Sequence, residues 1–71
     1  MLSEVKVGET ARIKTLPSRE AVILLEEGIT PNTEVVVVHT SLFKGLIAIR
    51  VHNTKLCLPW YIAKQIEVTI L

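Results

Sequence analysis

Ile49-Arg50-Val51-His52-Asn53-Thr54-Lys55-Leu56-Cys57-Leu58 is the stretch on which the architecture turns. Apolar and polar residues alternate on both sides of a polar centre, the period of a half-buried strand on each arm. Reading Asn53-Thr54 as a two-residue loop sets His52 against Lys55, Val51 against Leu56, Arg50 against Cys57 and Ile49 against Leu58. That register gathers Ile49, Val51, Leu56 and Leu58 on one face and leaves Arg50, His52, Lys55 and Cys57 on the other. A one-residue slip would mix the two sets, so turn and pattern support each other.

Working outward, Glu34 to His39 is a valine-rich strand, and Thr40 to Gly45 is a loop with Leu42 and Phe43 near its tip. Ahead of that strand stands the turn Thr30-Pro31-Asn32-Thr33, where proline presets φ and asparagine tolerates a positive φ. Ser18 is expected to cap a helix of about ten residues, with Glu20 in its first turn and Ala21, Val22, Leu24 and Leu25 at helical spacing. Gly28 suits the left-handed position that ends it, with Ile29 folding back on Leu24. Near the start, Ala11 and Ile13 alternate with Arg12 and Lys14 along Thr10 to Leu16, a strand entered from the turn Gly8-Glu9. Near the end, Pro59 opens a short turn or helix through Lys64. Ile66 to Leu71 is the last strand, with Ile66, Val68 and Ile70 on one face. Five short strands and one or two short helices predict a mainly β small barrel, whose closure pairs the last strand with the first and leaves no exposed edge.

Composition narrows the function classes. The 71 residues make one domain, residues 1–71, near the lower size limit for folding without a disulfide or structural metal. With 49% hydrophobic residues most of the chain must build core, which leaves little for a substrate cleft. Eight Lys+Arg against seven Asp+Glu give a net charge of +1, with no basic stripe to gather phosphates, so no nucleic-acid partner is expected. The single cysteine, Cys57, excludes an internal disulfide and fits a reducing compartment. No basic segment followed by an apolar run opens the sequence, and no apolar run approaches the ~20 residues of a membrane helix, so a cytoplasmic protein without membrane insertion is expected.

Leu25-Glu26-Glu27-Gly28-Ile29-Thr30-Pro31-Asn32-Thr33-Glu34-Val35 resembles the FeoA pattern of leucine, acidic residue, glycine, leucine, a proline-glycine turn and a strand. Val7-Gly8-Glu9 with Ala11 and Ile13 is similar to the family's opening turn and first strand. Ile47 to Val51 with Leu56-Cys57-Leu58 is similar to its central hairpin, and Ala63 with Ile66-Glu67-Val68 to its close. The sequence departs from the pattern in having Asn32 and Asn53 where the family usually has glycine. It also has Leu42-Phe43-Lys44-Gly45-Leu46 where a Gly-Asp-Pro-like turn is frequent. The resemblance implies an SH3-like barrel and an accessory role in bacterial ferrous iron uptake, exerted on the cytosolic region of a FeoB-type transporter.

The residues themselves point away from catalysis. No Ser/His/Asp or Cys/His constellation is apparent, no glutamates converge as an acid/base pair, and three scattered glycines make no phosphate loop, so neither enzyme nor cofactor is expected. No metal site is expected either. His52 and Cys57 share a face in the register above, with His39 as a distant third, whereas a built site takes three or four ligands. A metal-sensing protein using these three residues stays as the alternative. The residues best suited to carry a protein contact are Leu42, Phe43, Lys44 and Leu46 in the loop, then Trp60 and Tyr61. The alternative for these aromatics is to plug the barrel ends, a role that suits Trp60 better than Phe43. An apolar loop on so small a core also leaves room for weak self-association.

Overall fold

The computed structural model describes residues 1–41, 43 and 45–71. A single 3-10 turn at Leu2–Glu4 precedes β1 (Thr10–Thr15), α1 (Ala21–Glu26), β2 (Glu34–Thr40), β3 (Leu46–Val51), β4 (Thr54–Pro59), α2 (Trp60–Ala63) and β5 (Glu67–Ile70). The strands form one antiparallel sheet in the order β4-β3-β2-β1-β5. This is the mainly β, SH3-like small barrel that pattern and resemblance lead one to expect. The last strand pairs with the first, Ala11 opposite Ile70 and Ile13 opposite Val68. The expected absence of edges is corrected: among the described residues β4 and β5 share no pairing, so β4 has a neighbour on one side only.

Alternation along each strand builds the core. Ala11 and Ile13, Val35 and Val37, Ile47, Ile49 and Val51, and Leu58 all turn inward, where Leu24, Ile29, Ala63 and Ile66 meet them. Each fully buried aliphatic side chain of this size contributes about 1.5–3 kcal/mol relative to exposure. Among the described residues no polar or charged residue is buried as a whole, and Glu20 Oε2 is the one buried side-chain oxygen without a hydrogen-bond partner. The alternation of β5 outruns the core: Ile66 is buried and Val68 is partly so, whereas Ile70 at the sheet's end is half exposed. At the chain start the Met1 ammonium donates to Glu4 Oε1 at 2.8 Å, and that hydrogen bond and charge hold the Glu4 carboxyl below its ordinary range.

The hairpin forms with a different register from the one expected. Val51 stands opposite Thr54, Arg50 opposite Lys55, Ile49 opposite Leu56 and Ala48 opposite Cys57. The loop is therefore His52-Asn53, with φ of 50° and 67°. A two-residue loop of the favoured type I′ needs positive φ at both positions. His and Asn adopt that region more readily than most residues, whereas β-branched Thr54 resists it. The inward and outward sets are the same in both registers, because partners moved by two positions and side chains alternate with period two.

The start of the helix is corrected as well. Ser18 lies in a turn over residues 18–20, and α1 begins at Ala21 with Glu20 in the cap position and no side-chain capping bond. The first helical bond runs from the Leu24 N–H to the Glu20 carbonyl at 3.0 Å, so Ser18 stands two residues ahead of where a capping hydroxyl acts. The far end matches expectation. Gly28 has a φ of 89°, the Ile29 N–H donates to the Leu24 carbonyl at 2.9 Å, and the Gly28 N–H donates to the Leu25 carbonyl at 3.0 Å. This is the Schellman arrangement, sealed by burial of Leu24 and Ile29. Asn32 takes a φ of 73° in the next turn, whose Thr33 N–H donates to Thr30 at 3.1 Å.

Candidate functional site

Three hydrogen bonds shape the end of the barrel where β2 passes to β3. The Ser41 N–H donates to the Leu46 carbonyl at 3.0 Å, and the Gly45 N–H donates to Ser41 Oγ at 3.0 Å. The Trp60 N–H donates to the Gly45 carbonyl at 3.0 Å. The loop base is thereby tied to the start of α2, and Leu46 lies opposite Pro59. Of the six expected contact residues, Leu42 and Lys44 fall outside the described residues. Phe43 is 94% exposed, Leu46 49% and Tyr61 57%. Trp60 differs: it is partly buried and packs against the core, the plug role weighed for it above. Leu46 and Trp60 thus stand at the loop base, Tyr61 follows Trp60 in α2, and Phe43 is exposed two residues before Gly45.

The histidines and the cysteine are not brought together. His52 sits in the hairpin loop, its Cδ2 3.6 Å from where a Cβ would stand on Gly28. Cys57 is three residues beyond Thr54, about 10 Å along β4. His39 and Cys57 both pair with Ala48 from opposite sides, which places them two strand spacings apart, about 9–10 Å. Among the described residues no group of three or more His, Cys, Asp or Glu side chains could hold a metal ion. Arg50 faces Lys55 across the hairpin instead of Cys57, so the expected neighbour of the thiol is absent from that position.

A second feature escapes sequence reasoning. A groove of about 340 Å³ runs between α1, β4 and α2. Ile23 and Leu24 of α1 line it together with Glu20 and Glu27, residues 56–59 of β4 and Ile62 of α2. Its volume lies at the low end of the ~300–1,000 Å³ typical of ligand pockets, more space than the chain length suggests. Glu20 Oε2 is buried there without a hydrogen-bond partner. The one legible sign was Ile23, an isoleucine on a short helix whose core face is already met by Leu24. Seeing the groove also needs the strand order, which makes β4 an edge.

The chain matches the FeoA domain model over residues 1–70. No curated protein matches its sequence. Among solved structures it is similar to iron(II) transport protein A from Clostridium thermocellum, at 28% identity and a TM-score of 0.90, covering 99% of this chain and 44% of that one. It is similar to the FeoA protein from Chlorobium tepidum at 25% identity and a TM-score of 0.89, covering 99% of this chain and 69% of that one. A manganese-dependent transcriptional repressor shares the fold at 18% identity and a TM-score of 0.89, with 99% of this chain matched to 36% of that one. Among the described residues no helix is long and apolar enough to cross a membrane. With the domain model matched over residues 1–70 and solved FeoA structures matched over 99% of its length, the chain belongs to the FeoA domain family.

Proposed function

We propose that this chain is a cytoplasmic accessory module of ferrous iron transport that acts by protein contact on the cytosolic region of a FeoB-type transporter. Family membership over residues 1–70 supports the role in ferrous iron transport. The observation that carries the contact reading is Phe43, 94% exposed on a loop whose base adjoins half-exposed Leu46 and Tyr61. Exposed apolar side chains clustered at one end of a small domain favour a partner surface. Leu42 and Lys44 flank Phe43 in sequence and belong to the same proposed contact, and Trp60 packs against the core beside it. The module carries no reaction in this reading, and needs neither nucleic acid nor insertion into a bilayer. Binding biases the transporter's cytosolic domain toward whichever state it contacts better, by the difference in affinity between the two. The metal-sensing alternative loses its geometric support once His52 stands in the loop and Cys57 three residues up the strand.

The test is an NMR titration of the labelled chain with the cytosolic G-protein domain of a cognate FeoB-type transporter. Shifts centred on residues 41–46 and 60–61 are expected. No shifts at high micromolar concentrations of folded partner would overturn direct binding to that domain.

A further inference from the structure

We infer that the groove between α1 and β4 is a docking site for an extended segment of another protein, one that adds as a strand to the free edge of β4 and carries Arg or Lys beside its apolar residues. This goes beyond the contact proposed at the loop end and stands whichever partner meets that end.

The wall formed by β4 carries the first step. Successive residues of a strand point to opposite faces. In β4, Leu56 and Leu58 turn inward while Cys57 turns outward, yet all three line the groove along with Pro59. Only the strand's edge presents all of them together. That edge is unpaired: β4 has β3 as its one neighbour, and among the described residues no main-chain hydrogen bond joins residues 55–58 to anything but β3. A row of unsatisfied N–H and C=O groups beside an apolar trough is the arrangement that takes an added strand.

Charge selects the occupant. Glu20 and Glu27 flank the trough along α1 with no basic residue among the lining, and Glu20 Oε2 has no hydrogen-bond partner. A guanidinium or ammonium on the incoming segment would pair with the Glu20 and Glu27 carboxylates by charge-assisted bonds. A second copy docking through the outer edge of its own β5 is disfavoured, because Glu67 would bring a third carboxylate toward Glu20 and Glu27. The chain's own basic extended segment, β1, is held on both sides by β2 and β5.

The probe is a capped octapeptide alternating valine and arginine, titrated into the labelled full chain. Shifts confined to residues 20–27 and 56–59 are expected, with slower alkylation of Cys57 by iodoacetamide at saturation. A matched peptide with glutamate for arginine is expected to bind at least about fivefold more weakly. N-methylation of the valine amides blocks one peptide edge and of the arginine amides the other, and at least one of the two is expected to abolish binding. Glu20→Lys with Glu27→Lys is expected to reverse the preference between the two peptides. Equal affinity for both peptides, full binding by both methylated forms, shifts elsewhere, or no shifts at low millimolar peptide would overturn the proposal on the unaltered chain alone. Concentration-dependent shifts at 20–27 and 56–59 without peptide would assign the groove to a second copy and overturn it too.

Discussion

Gly28 holds a φ of 89° at the end of α1, and the two hydrogen bonds that close the Schellman turn depend on it. Space is not what reserves the position for glycine. A Cβ there would meet His52 Cδ2 at 3.6 Å, an ordinary contact. The penalty lies in the left-handed backbone, roughly 1–2 kcal/mol for an L side chain. In a domain whose net stability is about 3–5 kcal/mol, that is a large share. Gly28→Ala is therefore expected to lower the midpoint of thermal unfolding by about 5–15 °C, followed by circular dichroism. Gly45→Ala is the internal control: its φ lies outside the left-handed region and the added Cβ would sit 3.7 Å from Ser41 Oγ. It is expected to change the midpoint little, so an equal fall in both variants would show that generic glycine effects, not φ, dominate.

At the scale of elements, the hairpin shows what alternation can and cannot specify. Its inward set, Ile49, Val51, Leu56 and Leu58, is legible because burial demands a period of two. The register is not, because a shift by two residues leaves both faces unchanged, and the turn residues must break the tie. Asn53 suits either loop. The deciding fact is that His52 accepts a φ of 50° while Thr54 stays in the strand opposite Val51. Substitutions at these neighbours should accordingly have opposite signs. Asn53→Gly fits the second position of a type I′ loop and is expected to be neutral or to stabilise by up to about 1 kcal/mol. Thr54→Gly weakens a strand position and is expected to cost roughly 0.5–1 kcal/mol. Urea unfolding of both variants checks the register, and stabilisation by Thr54→Gly would restore the Asn53-Thr54 loop. The helix end was legible for a related reason: Gly28, Leu24 and Ile29 form a local motif contained in six residues. Its start was not, since Ser18 fits a turn as well as a cap. Beyond the hint of Ile23 the groove could not be read, because its walls are far apart in sequence and its existence rests on β4 being an edge.

For the whole molecule, the interior and the loop end obey different demands. Ile49 is fully buried in the core shared by every strand. Truncating a buried isoleucine to alanine costs about 2–5 kcal/mol in lost transfer energy and cavity. That matches the entire net stability of a domain this small, about 3–5 kcal/mol, so Ile49→Ala is expected to leave much of the population unfolded at room temperature. Phe43 is at the other extreme. With 94% of it exposed, it contributes little to folding, and Phe43→Ser is expected to move the urea midpoint by no more than about 0.5 kcal/mol in equivalent stability. If the loop end is the partner surface, the same variant should still weaken binding to the transporter's cytosolic domain several-fold, because aromatic anchors carry a disproportionate share of interface energy. The pair of measurements separates the two roles on one residue. Unchanged stability with weakened binding assigns Phe43 to the interface, whereas a fall in stability comparable to that of a core variant would mean that the ring packs in solution and that the contact surface lies elsewhere on the barrel.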